Sequence, residues 1–136
     1  MLLNMSGGGY QIGDGNLNGE QLFVQTTPAT ATVTATLTAA NIMSGMILGS
    51  PNATAATYTL PTVALLEAVL VNARAQHCFD FNICNVNGNA SGVITVAVGT
   101  GWTIVGLATI AATAGTSGIF RAVKTGDGAW TLYRIA

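Results

Sequence analysis

Residues 59–98 read TLPTVALLEAVLVNARAQHCFDFNICNVNGNASGVITVAV, and this stretch carries a helix pattern followed by two strand patterns. Apolar residues recur at three- and four-residue steps between positions 62 and 73, which predicts a helix over those residues. Thr62 is a suitable N-cap, and Pro61 stands directly before it. We expect this helix, residues 62–73, to cover one end of a β-rich core.

The sequence changes to the period of a strand after Gln76. Alternate residues then fall on two faces, with His77, Phe79, Phe81 and Ile83 on the first and Cys78, Asp80, Asn82 and Cys84 on the second. A strand with one apolar face indicates a sheet that packs on a core. Cys78 and Cys84 would lie about 20 Å apart at ~3.3 Å per residue, so we predict that they do not form a disulfide.

Short strand patterns occupy most of the remaining chain. We predict strands over residues 29–37, 46–48, 57–60, 77–86, 92–98, 102–105, 107–112, 117–124 and 129–135, with one helical turn capped by Thr38 after the first. Asp127-Gly128 favours a tight hairpin turn between the last two strands. The expected fold class is therefore all-β, a compact β-sandwich or jelly-roll-like barrel of about eight short strands with one helix.

Residues 1–28 differ in composition from the rest of the chain. They are rich in glycine and have neither a helical period nor a sustained alternation, so we predict an extended N-terminal arm ahead of a β-rich domain over residues 29–136. The arm has more apolar residues than a linker needs, and we expect these to bind a neighbouring subunit: Tyr10, Ile12, Leu17, Leu22 and Phe23.

The chain has very little charge. Asp, Glu, Lys and Arg make up 7% of its 136 residues, against roughly 25% in an ordinary soluble domain. Because surface charge keeps monomers apart in water, this composition predicts a surface that is largely covered, as in an oligomer or a larger assembly. With four basic residues and a net charge of −1, binding to nucleic acid is not expected. Residues 93–120 are uncharged, but glycine and threonine interrupt them at strand spacing, so we predict no membrane span.

Candidate metal sites in the sequence are incomplete. Residues 14–20 match the first half of a calcium loop, but Gln25 stands where the bidentate carboxylate belongs, and a glycine-rich turn is the favoured interpretation. His77 and Cys78 are adjacent and would point to opposite faces of a strand, although a symmetric oligomer could gather copies of His77 on its axis. We therefore predict no resident metal and no cofactor.

Catalytic groups also fail to form a recognisable set. The carboxylates fall in separate elements, and any of the many Ser or Thr residues could be paired with His77, which makes such a pairing uninformative. We therefore predict that the protein is not an enzyme. The aromatic residues could line a sugar-binding face, but in a small β domain they are more often core: Trp102, Trp130, Tyr133, Phe79, Phe81 and Phe120.

Several stretches resemble structural proteins of tailed bacteriophages, particularly phages of aquatic bacteria. They are GYQIGDGN (9–16), ATLTAANIMSG (35–45), ATAATYTLPTVALLEA (53–68), FDFNICN (79–85), GTGWTIVG (99–106) and FRAVKTGDGAWTLYRIA (120–136). Within that group the chain looks most like a capsid decoration, or cement, protein. The resemblance implies a β-rich homotrimer on the outer surface of the virion head, where it ties neighbouring major capsid subunits together.

Two other interpretations stay open. A tail or head-fibre component that binds a host-surface glycan would have the same composition, and so would a small binding module from a non-viral assembly. In the decoration interpretation the contacts with the major capsid protein come from the arm residues Tyr10, Ile12, Leu17, Leu22 and Phe23.

Overall fold

The computed structural model describes residues 24–136, in which ten strands and two short helices are present. In chain order they are β1 (Ala29–Ala31), β2 (Ala35–Thr36), α1 (Ala39–Met43), β3 (Met46–Gly49), β4 (Ala56–Thr59), α2 (Val63–Val69), β5 (Cys78–Asn85), β6 (Ile94–Ala97), β7 (Trp102–Val105), β8 (Thr109–Ile110), β9 (Ser117–Gly126) and β10 (Ala129–Arg134). Neither helix of this part of the chain has the length and apolar character needed to cross a membrane.

The strands form two sheets, and the chain passes from one to the other at each step from β1 to β8. The six-stranded sheet has the order β1-β3-β5-β9-β10-β7, and the four-stranded sheet has the order β2-β4-β6-β8. Because the chain returns to each sheet in the same direction, β1, β3 and β5 are parallel, and so are β2, β4 and β6. Antiparallel pairing joins β5 to β9, β9 to β10 and β6 to β8.

The mostly β prediction is confirmed, since the described chain has two sheets and few helices. The jelly-roll or sandwich form of that prediction is not confirmed, since those folds are built mainly from antiparallel neighbours. Parallel neighbours need a crossover connection, and here the crossover is a strand of the other sheet or a short helix.

Both sheets contribute side chains to one core. The largest fully buried side chains are Trp130, Tyr58, Phe81, Phe120, Ile42, Ile47, Leu60, Leu66, Ile83, Ile94, Ile110 and Leu132. The Tyr58 hydroxyl donates a hydrogen bond of 2.7 Å to the Ala31 carbonyl, which links β4 to β1 across the sheets. Burial raises the pKa of this hydroxyl, which therefore stays neutral.

Most of the aromatic residues belong to this core, as predicted. Trp102, Trp130, Phe81 and Phe120 are buried, and Phe81 and Phe120 stack with ring centroids 5.6 Å apart. Phe79 is partly buried against this core, and Tyr133 is the exception, because 38% of its surface is exposed. A sugar-binding row of aromatic side chains is therefore not formed by this set.

The predicted helix exists but is shorter than residues 62–73. Thr62 is its N-cap and accepts a hydrogen bond from the Leu65 amide at 3.4 Å, whereas Leu70 has already left helical geometry. The connection beyond the helix is instead tied to β9, since Lys124 Nζ donates to the Ala73 carbonyl at 3.1 Å. Thr38 caps α1 with a complete capping box, which confirms the predicted helical turn.

The prediction of one continuous strand over residues 29–37 is wrong. The alternating threonines persist, but the chain bends at residues 32–34 and crosses from β1 in one sheet to β2 in the other. Val33 lies in the bend with 68% of its surface exposed. An alternating sequence shows only which residues face the core. Since this core is lined by two sheets, the alternation can continue on both sides of a bend that leads from one sheet to the other.

The strand after the helix and the final hairpin agree with the sequence. Within β5, Phe81 and Ile83 are buried while Asp80 is exposed, so the predicted faces are confirmed. The β9–β10 hairpin turns at Asp127-Gly128, where Gly128 has φ of 69°. That left-handed backbone is one that glycine adopts without strain.

Candidate functional site

An apolar groove lies between the end of α2 and the start of β5. Its volume is about 440 Å³, and it is lined by Met43, Val69, Leu70, Val71, Asn72, Ala73, His77, Cys78, Phe79 and Trp130. The groove exists because the chain leaves the helix at Leu70 and then turns back into β5. Its apolar side chains are left in contact with water.

The exposure of the groove residues is high for apolar side chains. Val71 is 75% exposed, Val69 is 59% exposed and Met43 is 39% exposed. Single exposed apolar residues are ordinary, but a contiguous group around a concave surface marks an interaction site. Arg74 stands beside this group in the sequence and has no acidic partner among residues 24–136.

A partly buried ion pair shares the groove residue Trp130 as a hydrogen-bond partner. Lys124 Nζ is 2.9 Å from Glu67 Oε1, and the Trp130 indole nitrogen donates to the same oxygen at 3.1 Å. The hydrogen bond from Lys124 lowers the pKa of Glu67, and the same hydrogen bond raises the pKa of Lys124. Both groups therefore stay charged at neutral pH, and the pair joins α2 to the last hairpin.

The outward face of the six-stranded sheet is the second surface of interest. Four residues lie side by side on this face, in register across four strands: Asp80, Arg121, Tyr133 and Val105. The ion pair is bidentate, with Arg121 Nε and Nη2 at 2.7 and 2.8 Å from the two Asp80 oxygens, and it lowers the pKa of Asp80. The remaining exposed positions on this face are uncharged and include Ile119, which is 37% exposed.

This sheet face contains a polar atom without a partner. The Asn82 side-chain oxygen is buried and accepts no hydrogen bond from any described residue. Buried oxygens in proteins are nearly always hydrogen-bonded, and a missing partner costs stability. The neighbouring strand residue Ile119 pairs with Asn82 in register, so this atom lies within the uncharged part of the sheet.

The other predicted site residues are dispersed. His77 and Cys78 lie at the groove, and Cys84 lies on the outward face of β5; both cysteines are free. Asp80 binds Arg121. Across residues 24–136, His, Cys, Asp and Glu side chains form no group of three or more that could hold a metal ion.

The predicted arm contacts Tyr10, Ile12, Leu17, Leu22 and Phe23 lie outside the described residues, as does the possible calcium loop over residues 14–20. The described chain begins beside the groove. Gln25 Nε2 donates a hydrogen bond of 2.6 Å to the Ser44 carbonyl, one residue after Met43 of the groove lining.

Sequence reasoning did not find the groove. The signal was present, because Val69 and Val71 are apolar residues that the predicted helix would have placed on its outer side. An apolar residue on the expected solvent face of a helix is the pattern that indicates a partner.

Comparisons with protein-family models, with curated proteins and with solved structures find no match for this chain.

Proposed function

We propose that this protein is a structural component of a phage virion that binds the outside of the capsid as a homotrimer. In this role it stabilises contacts between major capsid subunits, and it acts by binding. The two sheets would form a sandwich whose strands run mostly parallel to their neighbours. The observation that carries the proposal is the low charge of the outward face of the six-stranded sheet, whose one ion pair, Asp80 with Arg121, is satisfied within the chain.

The charge distribution supports an assembled state. Glu67, Lys124 and Asp127 form one cluster, while Asp80 pairs with Arg121. Arg134 donates to the backbone carbonyls of Leu107, Thr109, Ser117 and Ala136. The described domain therefore presents few free charges to water, and an uncharged surface favours association with protein neighbours.

The trimer would form through the outward face of the six-stranded sheet. Exposed Ile119, Tyr133 and Val105 provide apolar area there, and an incoming subunit could donate a hydrogen bond to the unpartnered Asn82 oxygen. The arm residues Tyr10, Ile12, Leu17, Leu22 and Phe23 would contact the major capsid protein. Each trimer would make several weak contacts with the capsid at once, and this multivalency would give tight binding overall.

The copy number in purified virions tests the proposed location. Quantitative mass spectrometry should find hundreds of copies, in a simple ratio to the major capsid protein. A few to a few dozen copies would instead support a tail or head-fibre component that binds a host glycan. Absence from virions would refute the proposal.

Two further experiments test the surfaces. Ile119→Asp should dissociate the trimer in analytical ultracentrifugation, while Val33→Asp, at a similarly apolar but remote exposed position, should leave it intact. Deletion of residues 1–28 should abolish binding to undecorated heads and leave the trimer folded. A truncated protein that still decorates heads would show that the arm is not the capsid contact.

A further inference from the structure

We propose that the groove between α2 and β5 binds residues 17–23 of the same chain, LNGEQLF, when the protein is free in solution. The inference goes beyond the proposed function, because it concerns the protein before any capsid is present. It rests on three features: where the described chain begins, the apolar lining of the groove, and the charge of Arg74.

The first feature is the position of the chain at Gln25. Its side chain donates to the Ser44 carbonyl, so the backbone of residues 24 and 25 lies next to the end of α1. Met43, in the last turn of that helix, is part of the groove lining. A segment that precedes residue 24 would therefore need only a few residues, at about 3.3 Å each, to cross the groove.

The second feature is the match between the groove and the segment. A cavity of about 440 Å³ holds a few large side chains, and its lining is apolar at Val69, Val71 and Phe79. Leu17, Leu22 and Phe23 are three large apolar side chains on a short segment. Burying both surfaces removes apolar area from water and covers residues that are otherwise exposed in a protein with little charge.

The third feature is charge. The segment carries Glu20 between its apolar residues, and Arg74 follows the groove residues Asn72 and Ala73 directly. In the described residues, the other basic side chains bind carboxylates or backbone carbonyls, whereas Arg74 binds neither through its side chain. A carboxylate at position 20 would give it a partner. Tyr10 and Ile12 lie further along the arm and would remain available to the capsid.

Cys78 provides a native probe of this docking. It lines the groove at the start of β5 and is exposed to water in the described structure, whereas Cys84 lies further along the same strand and does not line the groove. In full-length protein carrying Cys84→Ser, Cys78 is the one remaining thiol. Its rate of reaction with a small disulfide reagent, compared with the rate in denaturant, reports whether the groove is covered.

We expect Cys78 to react about tenfold or more slowly in the folded protein, because burial of one large apolar side chain changes a docking equilibrium by about that factor. Leu22→Asp should restore most of the rate, since it places a charge in the apolar groove. Gln21→Asp adds the same charge at the adjacent polar position and should leave Cys78 protected. Circular dichroism should show that both variants keep the fold.

Three results would overturn the inference. They are an unprotected Cys78 in the native sequence, equal effects of Leu22→Asp and Gln21→Asp, and protection that is lost on dilution but unaffected by either substitution. The last result would assign the covering of Cys78 to a second copy of the chain, because Cys78 also lies on the outward sheet face proposed as the trimer contact. None of them bears on the virion copy number, so failure here is distinguishable from failure of the proposed function.

Discussion

Asn85 at the end of β5 is the residue whose replacement we expect to destabilise the fold most for its size. Its side chain is fully buried and makes three hydrogen bonds: Nδ2 donates to the carbonyls of Gly92 and Ala111 at 2.9 Å each, and Oδ1 accepts from the Gly88 amide at 2.7 Å. The amide therefore fastens the loops before β6 and after β8 to the six-stranded sheet.

Asn85→Ala removes all three bonds and leaves their backbone partners in a dry environment. At a net value of about 1 kcal/mol for each bond, the loss is about 3 kcal/mol, and it is larger where the orphaned groups stay without water. For a domain of this size that corresponds to a fall in melting temperature of about 10 °C. The free energy of unfolding should be measured by urea titration, with the melting temperature from circular dichroism.

Asn82→Ala is the matched control for this prediction. Asn82 lies three residues earlier on the same strand, but its side-chain oxygen has no hydrogen-bond partner among residues 24–136. In the dissociated chain, where no neighbouring subunit can bind the Asn82 oxygen, its replacement should change the free energy of unfolding by about 0.5 kcal/mol or less. Equal losses in the two variants would refute the reasoning, because the effect would then follow from strand propensity and not from the buried hydrogen bonds.

Three more predictions concern the hairpin, the helix and the response to acid. Gly128→Ala should lower the free energy of unfolding by about 1 kcal/mol, because position 128 has φ of 69° with open space around it. Gly126 also has open space around it but does not have a positive φ, so Gly126→Ala should lower the free energy of unfolding much less in the same urea titration. Leu66→Ala should lower the free energy of unfolding by about 2–5 kcal/mol, because it creates a cavity under α2. Leu65 is 61% exposed, so Leu65→Ala should leave the free energy of unfolding nearly unchanged. Similar values for the two variants would contradict the observed burial. Folding lowers the pKa of Glu67 from its ordinary 4.5, so the unfolded chain binds more protons in acid. The stability that ionised Glu67 contributes is therefore complete above about pH 5, and it is lost as the pH falls through the lowered pKa. Glu67→Gln should flatten the dependence of the urea midpoint on pH in that range, and an unchanged slope would show that the ion pair does not set it.

The sequence predicted the individual elements better than their assembly. The helix start at Thr62, the two faces of β5, the strand Trp102–Val105 and the hairpin at Asp127-Gly128 all follow from local rules of capping, alternation and turn chemistry. Each of these rules involves residues close together in the chain. They carry no information about which distant strand becomes the neighbour.

Local sequence rules therefore could not predict which parallel strands pair with each other. β1 pairs with β3 and β3 with β5, although each pair is separated by a strand of the other sheet. The split of residues 29–37 into two strands has the same origin, because a continuous alternation is compatible with a bend between two sheets. The end of α2 at Leu70 was also missed, since the contact that holds the next segment comes from Lys124 in β9.

The candidate sites also differ in how far they could be predicted from local sequence. Burial of the aromatic residues was predictable because large apolar side chains dominate cores. The shape of the groove was not predictable, since its lining comes from four separate parts of the chain, although Val69 and Val71 indicated a partner surface. The arm contacts stay predictions, because they lie outside the described residues.

The order of strands in the larger sheet has a consequence for how the protein is made. Among the described strands, β7 pairs with β10 alone, and β5 meets β9 on the side away from β3. A ribosome therefore releases β5 and β7 before the hairpin that lies between them exists. Until that hairpin inserts, the nascent chain presents two unsatisfied strand edges on a sequence with almost no charge to keep copies apart. Expression at low temperature, which slows synthesis and weakens hydrophobic association, should then raise the soluble yield more than a longer induction does.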